Sequence, residues 1–475
     1  MVFLTLTCGV SCYAILQSLV VPVLSTFQGA LHTSQSQVTW MLTAFLLSAS
    51  VFTPILGRVG DIVGKKRTFV AALAVLALGC VISALADNLT VMVIGRVVQG
   101  IGGGVLPLAF GIIRDEFPPE KVPGTVGNLA SILGVGSGAG IVLAGPINDS
   151  LGAHWLFWLP AILIGVSAAA VHVTVPESPV RAGGRISVLP ALLLCGWLVC
   201  LLLGLSQGPV WGWASPGVLG LIIGGVVLIP TWMFSERRAA SPLIDMRMMR
   251  LPAVWTTNLV ALLIGVGMYA IFAFLPEFVQ TPRSTGYGLG LGITGSGLIL
   301  LPLALAMFFV GLYSGRLVQR FNPRRVIVVG SALATVAMVL LTTAHSAQWQ
   351  LLIATVTMGI GFGLAFTAMA GVIVHAVPPS QTGVASGMNA NIRTIGGSIG
   401  AALMATIVTA GTHPGTSPHE SGYTAGFLML AIASALAAAA GLIIPTSRLV
   451  YASDEPEHAE LALIPGGTVV GDTSD

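Results

Sequence analysis

The chain has 475 residues, of which 55% are hydrophobic and only 8% are charged. Soluble domains carry about 25% charged residues, so a soluble protein of this size could not cover its surface with so few ionic groups. The composition excludes an ordinary soluble protein and indicates that lipid surrounds most of the chain. The net charge of +3 is too small, and too well explained by membrane orientation, to indicate a nucleic-acid partner.

Apolar stretches of about 20 residues, the length that spans a bilayer, recur along the chain. Because backbone polar groups must pair internally in hydrocarbon, each stretch predicts a membrane-spanning α-helix. The first begins next to Met1 and lacks an A-x-A-like processing site, so we expect an uncleaved helix. The fourteen predicted spans are 4–26, 38–57, 68–86, 90–113, 124–147, 155–175, 188–206, 215–234, 253–280, 289–312, 325–344, 349–373, 382–409 and 423–445.

The placement of basic residues predicts the orientation of these spans. With both termini in the cytoplasm, 17 of the 20 Lys and Arg fall in cytoplasmic loops, Arg283 falls outside, and Arg96 and Arg393 lie within spans. This asymmetry follows the positive-inside rule. The Ala/Gly/Val-rich composition is associated with GC-rich bacterial genomes, so we expect a multi-pass protein of a bacterial plasma (inner) membrane.

An internal repeat relates the two ends of the chain. Gly57–Arg67 aligns with Gly315–Arg325 at an offset of 258, and Gln99–Gly104 aligns with Met358–Gly363 at an offset of 259. Parallel repeats around a midplane site are a transporter architecture. The expected fold is an all-α polytopic membrane protein with two six-helix halves and two additional central helices.

This repeat also predicts the organisation of the chain. The offset leaves room for two spans that have no counterpart elsewhere, and the acidic tail has the composition of a disordered segment. The expected units are a first half at 1–180, the two additional helices with an inner linker at 181–250, a second half at 251–447 and a disordered cytoplasmic tail at 448–475.

The segment Gly57–Arg67 joins the second and third predicted spans on the cytoplasmic side. Its acidic residue can pair with a basic group or cap a neighbouring helix, and its glycines allow a tight turn and close helix approach. This pattern favours a charge latch that holds one face closed; the alternative is a plain basic loop. The latch residues are Gly57, Gly60, Asp61, Gly64, Lys65, Lys66 and Arg67.

These residues carry the full pattern G-x-x-x-D-x-x-G-[KR]-[KR]-[KR], and the chain thereby resembles the major facilitator superfamily. Arg96-x-x-Gln99-Gly100 is similar to a second signature of that superfamily, whose arginine is implicated in proton coupling. Gly145-Pro146, after a glycine-rich fifth span, resembles the antiporter signature of exporters. With fourteen spans, the chain is most similar to the drug:proton antiporter family typified by EmrB and QacA.

Two departures from that family concern acidic and glycine positions. Asp149 and Ser150 replace the two glycines that usually close the antiporter signature, and Leu16 and Gln17 stand where relatives carry an acid in the first span. We therefore expect neutral, weakly anionic or singly charged substrates rather than dications, and the proton carrier has to be sought elsewhere.

Charged residues within or near spans are the candidates for proton coupling. A charge at a span centre costs at least about 2.5–3.5 kcal/mol and normally marks a pathway or a pair, which makes Arg96 the first candidate. Glu277 and Asp149 lie near outer span ends and Asp115 near an inner one. For Glu277 and Asp149 the alternative is a solvated rim.

Polar and aromatic residues within spans are candidates for a substrate cavity. Arg393 could line the cavity with its neighbouring asparagines or could belong to a structural hydrogen-bond set between helices, and these alternatives stay open. The cavity candidates are Gln17, Gln99, Tyr269, Phe272, Asn389 and Arg393.

The function expected from these features is proton-coupled efflux of amphipathic drugs or antibiotics by alternating access. The nearest approach to a nucleotide loop, GDIVGKK, has the wrong spacing for G-x-x-x-x-G-K-[ST], so we expect an ion gradient, no cofactor and no metal. The expected partners are a lipophilic substrate, protons and membrane lipid, with the chain acting as a monomer. The alternatives are an uptake system or uncoupled facilitator of a metabolite and, remotely, an integral-membrane enzyme.

Overall fold

The structure is a computed structural model that describes residues 2–33, 35–38, 40–118, 121–177, 187–239, 242–378, 381–410 and 418–445. The predicted tail at 448–475 lies outside these residues. In chain order the long helices are α1 (Val2–Leu19), α2 (Trp40–Val63), α3 (Lys65–Ala84), α4 (Leu89–Glu116), α5 (Val122–Leu151), α6 (Trp155–Thr174), α7 (Val188–Trp211), α8 (Pro216–Arg238), α9 (Pro252–Gln280), α10 (Ile293–Phe321), α11 (Pro323–Thr343), α12 (Gln348–Ala376), α13 (Thr382–Thr409) and α14 (Glu420–Gly441).

Each predicted span coincides with one of these helices. Thirteen helical segments of the described residues are long and apolar enough to cross a membrane. Helix α5, with 30 residues, is about 45 Å long at 1.5 Å per residue and also has the necessary length. The expected all-α polytopic fold is therefore confirmed.

Local signals explain where several helices begin. Pro216, Pro252 and Pro323 occupy first-turn positions, where the missing N–H costs no helical hydrogen bond. Asn88 caps α4 by accepting a hydrogen bond from the Val91 N–H at 3.0 Å, which satisfies one of the orphan donors of a helix start.

The predicted boundary of the second span was too short. Helix α2 continues to Val63, so Gly57, Gly60 and Asp61 are helical and the turn is confined to Gly64, whose φ is +129°. The last turns of α2 contain Arg58 and Asp61, so the apolar pattern ends before the helix does. The glycines in those turns serve close packing.

The two halves repeat the same helix packing. In the first half, α1 packs against α5 and α6, α2 against α4, and α3 against α4 and α6. In the second half, α9 packs against α13 and α14, α10 against α12, and α11 against α12 and α14. Adding eight to each helix number of the first half gives the second, which confirms two equivalent six-helix halves.

Glycines at equivalent positions bring equivalent helices together. A Cβ atom on Gly102 of α4 would lie 3.2 Å from the Ala72 carbonyl oxygen of α3. A Cβ atom on Gly361 of α12, which is offset by 259, would lie 2.6 Å from the Gly330 carbonyl oxygen of α11. Small residues permit this approach between membrane helices, so the repeated glycines maintain the repeated packing.

Two helix pairs join the halves. Helix α5 packs along α10, and α2 packs along α13. We call the end of the bundle at which α2 meets α3 and α10 meets α11 the basic end, because Lys65, Lys66, Arg67, Arg324 and Arg325 lie there. The other end is the opposite end.

The two additional helices form a hairpin beside the seam between α2 and α13. Helices α7 and α8 pack on each other, and α7 also contacts both α2 and α13. The hydroxyl groups of Thr43 on α2 and Ser206 on α7 are 2.9 Å apart. Trp213, between α7 and α8, donates a hydrogen bond to the Thr406 hydroxyl of α13 at 3.0 Å. The hairpin therefore holds one helix from each half.

Candidate functional site

A central cavity lies between the halves at the mid-length of their helices. Its walls come from α1, α2, α4 and α5 of the first half and from α9 and α13 of the second. Aliphatic residues such as Leu46, Leu106 and Leu133 form part of the wall. The polar side chains that line it include Tyr13, Gln17, Ser50, Tyr269, Asn391 and Arg393.

Arg393 is the only charged residue among the described residues of the cavity wall. It is 6% exposed, and its guanidinium carbon lies 4.1 Å from the ring centroid of Phe366, a cation–π distance. Its Nε atom is buried and has no hydrogen-bond partner. A positive group with an unused donor therefore lies at the cavity.

Arg96 is fully buried but is bound within its own half. Its Nε donates to the Met41 carbonyl at 2.8 Å, and its Nη1 donates to Gln99 Oε1 at 2.6 Å. The guanidinium carbon lies 4.4 Å from the Phe45 ring centroid. Gln99 in turn donates to the Ser83 hydroxyl at 2.9 Å. This set joins α2, α3 and α4 into one unit.

The structure brings three of the six predicted cavity residues to the cavity, namely Gln17, Tyr269 and Arg393. Gln99 lies instead in the Arg96 set, and Phe272 packs against the apolar core. Asn389 is buried and donates to the Asn258 side chain on α9 at 2.8 Å. Only Arg393, of the two buried arginines, faces the cavity.

Tyr13 and Asn391 also line the cavity; Tyr13 was not predicted, and Asn391 was considered only as one of the asparagines beside Arg393. Tyr13 is a phenol in an apolar span, where a hydroxyl normally needs a partner or a polar space. Asn391 lies between Asn389 and Arg393 in sequence, and its Nδ2 atom is buried without a hydrogen-bond partner. These two features were the available signals.

The predicted latch lies where the halves meet at the basic end. A Cβ atom on Gly57 would lie 2.7 Å from the Gly383 carbonyl oxygen of α13, so the two helix backbones touch. Asp61 is 1% exposed and lies beside Gly383 and the Val384 N–H in the first turn of α13. A carboxylate is stabilised at that helix end by the helix dipole.

The three basic residues of the latch occupy different environments. Lys65 Nζ lies 2.7 Å from Asp115 Oδ2, with both side chains almost completely buried at 1% and 2% exposure. Arg67 Nε lies 3.3 Å from Glu177 Oε2 with its side chain 68% exposed. Lys66 is half-buried. The Lys65–Asp115 pair fastens the start of α3 to the end of α4.

Arg114 makes a direct contact between the halves at the basic end. Its Nη1 donates to the carbonyl groups of Val374 at 2.6 Å and Val377 at 2.8 Å, and to the Thr382 hydroxyl at 2.6 Å. These acceptors lie at the end of α12 and the start of α13. Arg114 directly follows the fourth predicted span, in a predicted cytoplasmic loop, and has no role in the sequence predictions.

The Gly145-Pro146 pair lies at the opposite end, in α5. Gly145 is buried, and a Cβ atom there would lie 3.2 Å from the Thr294 nitrogen at the start of α10. Pro146 is exposed. The glycine thus brings α5 close to the second half at the opposite end, as Gly57 brings α2 close at the basic end.

The remaining carboxylate candidates lie away from the cavity. Asp149 is exposed and accepts a hydrogen bond from Asn148 at 3.2 Å. Glu277 is exposed near the end of α9, close to Tyr423. Asp115 is held by Lys65. Across the described ranges, no group of three or more His, Cys, Asp or Glu side chains is arranged to hold a metal ion.

A polar cavity at the midpoint of two equivalent helical halves, closed at one end by contacts between them, defines a membrane transporter of the alternating-access class. The family model of the Major Facilitator Superfamily matches residues 6–401 and also 289–461. The chain belongs to this superfamily and is a secondary transporter.

Several bacterial proteins are similar to this chain in sequence. The tetracenomycin C resistance and export protein of Streptomyces glaucescens is 27% identical over 83% of this chain and 73% of its own length. Multidrug resistance protein 3 of Bacillus subtilis is 27% identical over 76% and 70%, respectively. The multidrug resistance protein B homolog of Mycobacterium tuberculosis is 29% identical over 79% and 69%.

Solved structures show the same fold. The human organic anion transporter TETRAN superposes with a TM-score of 0.67 at 14% identity, covering 93% of this chain and 98% of its own. The proton:xylose symporter XylE superposes with a TM-score of 0.66 at 14% identity, covering 94% and 96%. At this identity the likeness concerns the fold alone.

Proposed function

We propose that the protein exports amphipathic antibiotics or drugs across a bacterial plasma membrane in exchange for protons, acting as a monomer without ATP or another cofactor. The observation that carries this proposal is the central cavity with its closed basic end. Gly57 touches Gly383 there, and Arg114 bonds to α12 and α13 of the other half. Separating these contacts by rocking the halves exposes the cavity at that end.

The basic end is the cytoplasmic end in this proposal. Lys65, Lys66 and Arg67 lie there in the first half, and Arg324 and Arg325 lie there in the second. Cytoplasmic loops of membrane proteins carry an excess of such residues. Both chain termini are then cytoplasmic, and the described conformation has its cytoplasmic end closed.

Drug export is supported by the names of the similar bacterial proteins, which include an antibiotic export protein and multidrug resistance proteins. It is also supported by the Gly145-Pro146 pair and by the number of spans, which resemble the drug:proton antiporters. We propose the same activity, drug export, for this chain because its cavity wall combines apolar and polar side chains.

Proton coupling is assigned to the basic end rather than to the cavity. Asp61 lies between the halves, so its surroundings change most when the halves separate. Asp115 is held within the first half by Lys65, while Glu277 and Asp149 are exposed at the opposite end. A proton can shift a conformational equilibrium only through a group whose environment differs between the states, which favours Asp61.

The test is substrate-induced proton release from everted vesicles under an imposed pH gradient. The wild-type protein should release protons when tetracenomycin C is added, and Asp61→Asn should abolish this release. Asp87→Asn, a matched change at an exposed position of the opposite end, should not. If the wild-type protein releases no protons with any exported compound, antiport is ruled out.

An uncoupled facilitator is the second candidate, and one observation favours it. No carboxylate lines the part of the cavity that the structure describes. A facilitator would lower internal drug no further than the external concentration, and a protonophore would leave its transport rate unchanged. An exporter coupled to protons loses concentrative efflux when the protonophore is added, so one efflux assay in intact cells separates the two.

A further inference from the structure

Three residues of the cavity wall carry a buried polar group without a hydrogen-bond partner. These groups are Arg393 Nε and Asn391 Nδ2 on α13 and the Ser50 hydroxyl on α2. Arg393 and Asn391 are 6% and 2% exposed. Buried donors of this kind are costly unless a ligand or ordered water accepts from them, so the wall is built to receive an acceptor.

The charge of the cavity has one sign. The described wall residues of α1, α2, α4, α5 and α9 are uncharged, and α13 contributes Arg393. The other buried arginine, Arg96, lies outside the described wall and donates only to the neutral groups of Met41 and Gln99, so its charge adds to a field of the same sign. In an environment of low dielectric, a single cation attracts an anionic group strongly and repels a cationic one.

Aromatic groups flank this charge. Tyr13 from α1 and Tyr269 from α9 line the cavity from the two halves, and Phe366 stacks on the Arg393 guanidinium at 4.1 Å. Stacking on one face and the neighbouring Tyr269 orient the guanidinium, so its unpartnered Nε is held in a fixed direction. Phenol rings offer flat apolar contact together with a hydroxyl.

We propose that the transported substrates are amphipathic aromatic compounds with an acidic group, a phenolate, enolate or carboxylate, that accepts hydrogen bonds from Arg393 and Asn391. This inference rests on the proposed function and specifies its substrate class. The aromatic body of the substrate packs between Tyr13 and Tyr269. Lipophilic cations are then poor substrates of this chain.

Two dyes with the same xanthene skeleton and opposite charge test this proposal directly. Fluorescein is anionic and rhodamine 123 is cationic, and fluorescence anisotropy measures the binding of both to purified protein in nanodiscs. We expect fluorescein to bind at least about tenfold more tightly than rhodamine 123. Equal affinity, or tighter binding of rhodamine 123, overturns the proposal.

A competition with the wild-type protein does not depend on the folding of any variant. Anionic 1-naphthoate should displace fluorescein at a concentration about tenfold lower than neutral 1-naphthamide, which has nearly the same shape. Equal displacement by the two compounds contradicts an anion site.

The variants locate the site. Arg393→Gln should weaken fluorescein binding about tenfold or more, because it removes a charge-assisted hydrogen bond, and Arg393→Lys should recover part of the loss. Asn391→Ala should weaken it less. The matched control is Arg283→Gln, an exposed arginine outside the cavity, which should bind as the wild type does. Unchanged affinity in Arg393→Gln overturns the proposal.

These outcomes are distinguishable from failure of the exporter hypothesis. If fluorescein binds through Arg393 but everted vesicles show no proton-driven uptake of it, the anion site stands and proton-coupled export falls. If rhodamine 123 is exported with proton exchange while fluorescein is not bound, export stands and the inferred substrate class falls.

Discussion

The two halves of this transporter have the same helix packing, but they treat their buried arginines differently. Arg96 in the first half gives hydrogen bonds to Met41 and Gln99 and joins three helices of its own half. Arg393 in the second half keeps an unpartnered Nε at the cavity. Each arginine has one nitrogen without a partner, Arg96 Nη2 and Arg393 Nε, but only Arg393 lies in the described cavity wall. We therefore propose that the first arginine serves rigidity and the second recognition.

The largest expected effect is the loss of Arg96. Arg96→Leu leaves the Met41 carbonyl and the Gln99 amide oxygen buried without this donor, which should lower the free energy of unfolding by about 2–6 kcal/mol, or about 1–3 kcal/mol for each acceptor. The measurement is thermal or denaturant unfolding of purified protein. A change below about 1 kcal/mol would show that the set around Arg96 is not structural, and the comparison between the two arginines would fail.

The second-largest loss of unfolding free energy is expected for the buried Lys65–Asp115 pair of the first half. Lys65→Ala removes the ammonium group that offsets the burial of Asp115 and should cost about 3 kcal/mol of unfolding free energy. The matched change Arg67→Ala affects a pair whose arginine is 68% exposed, and exposed pairs contribute about 1 kcal/mol or less. Equal losses in the two variants would contradict the assignment of Lys65 to the rigid part of the first half.

A smaller effect is expected where the halves touch. Gly57→Ala places a methyl group 2.7 Å from the Gly383 carbonyl, and such overpacking costs about 1–3 kcal/mol. The closed basic end should become less populated, so a single cysteine at Val384 should react faster with a maleimide in a cysteine-free background. Gly165→Ala, where a Cβ atom meets nothing within 4 Å, is the control and should leave the labelling rate unchanged.

The smallest effect on stability is expected for the second arginine. Arg393→Leu removes a buried cation whose Nε has no partner, so the gain in desolvation offsets the lost contacts with Phe366 and Tyr269, and the unfolding free energy should change by about 1 kcal/mol or less. Transport of acidic aromatic compounds should nevertheless be lost. A destabilisation as large as that of Arg96→Leu would assign both arginines to the scaffold.

The fold could be predicted because span length and the repeat can both be read along the chain without knowledge of which residues touch. Span length follows from hydropathy, and the offset of 259 between Gly102 and Gly361 aligned two helices that the structure packs in the same way. The site was harder to predict because it depends on which helix face points inward. Arg96 turns toward α2 and Gln99 toward α3. The phenol of Tyr13 in an apolar span indicates a polar neighbour, but the sequence does not show that this neighbour is a cavity.

The α7–α8 hairpin has a mechanical consequence. It is bonded to Thr43 of the first half and to Thr406 of the second, so rocking of the halves cannot keep both contacts intact. A hydrogen bond of this kind contributes about 1 kcal/mol. The hairpin therefore opposes the rocking motion only weakly, and one of its two hydrogen bonds has to break in each transport cycle. The hairpin then moves with the half to which it is still bonded, and none of its residues is among the described residues of the cavity wall.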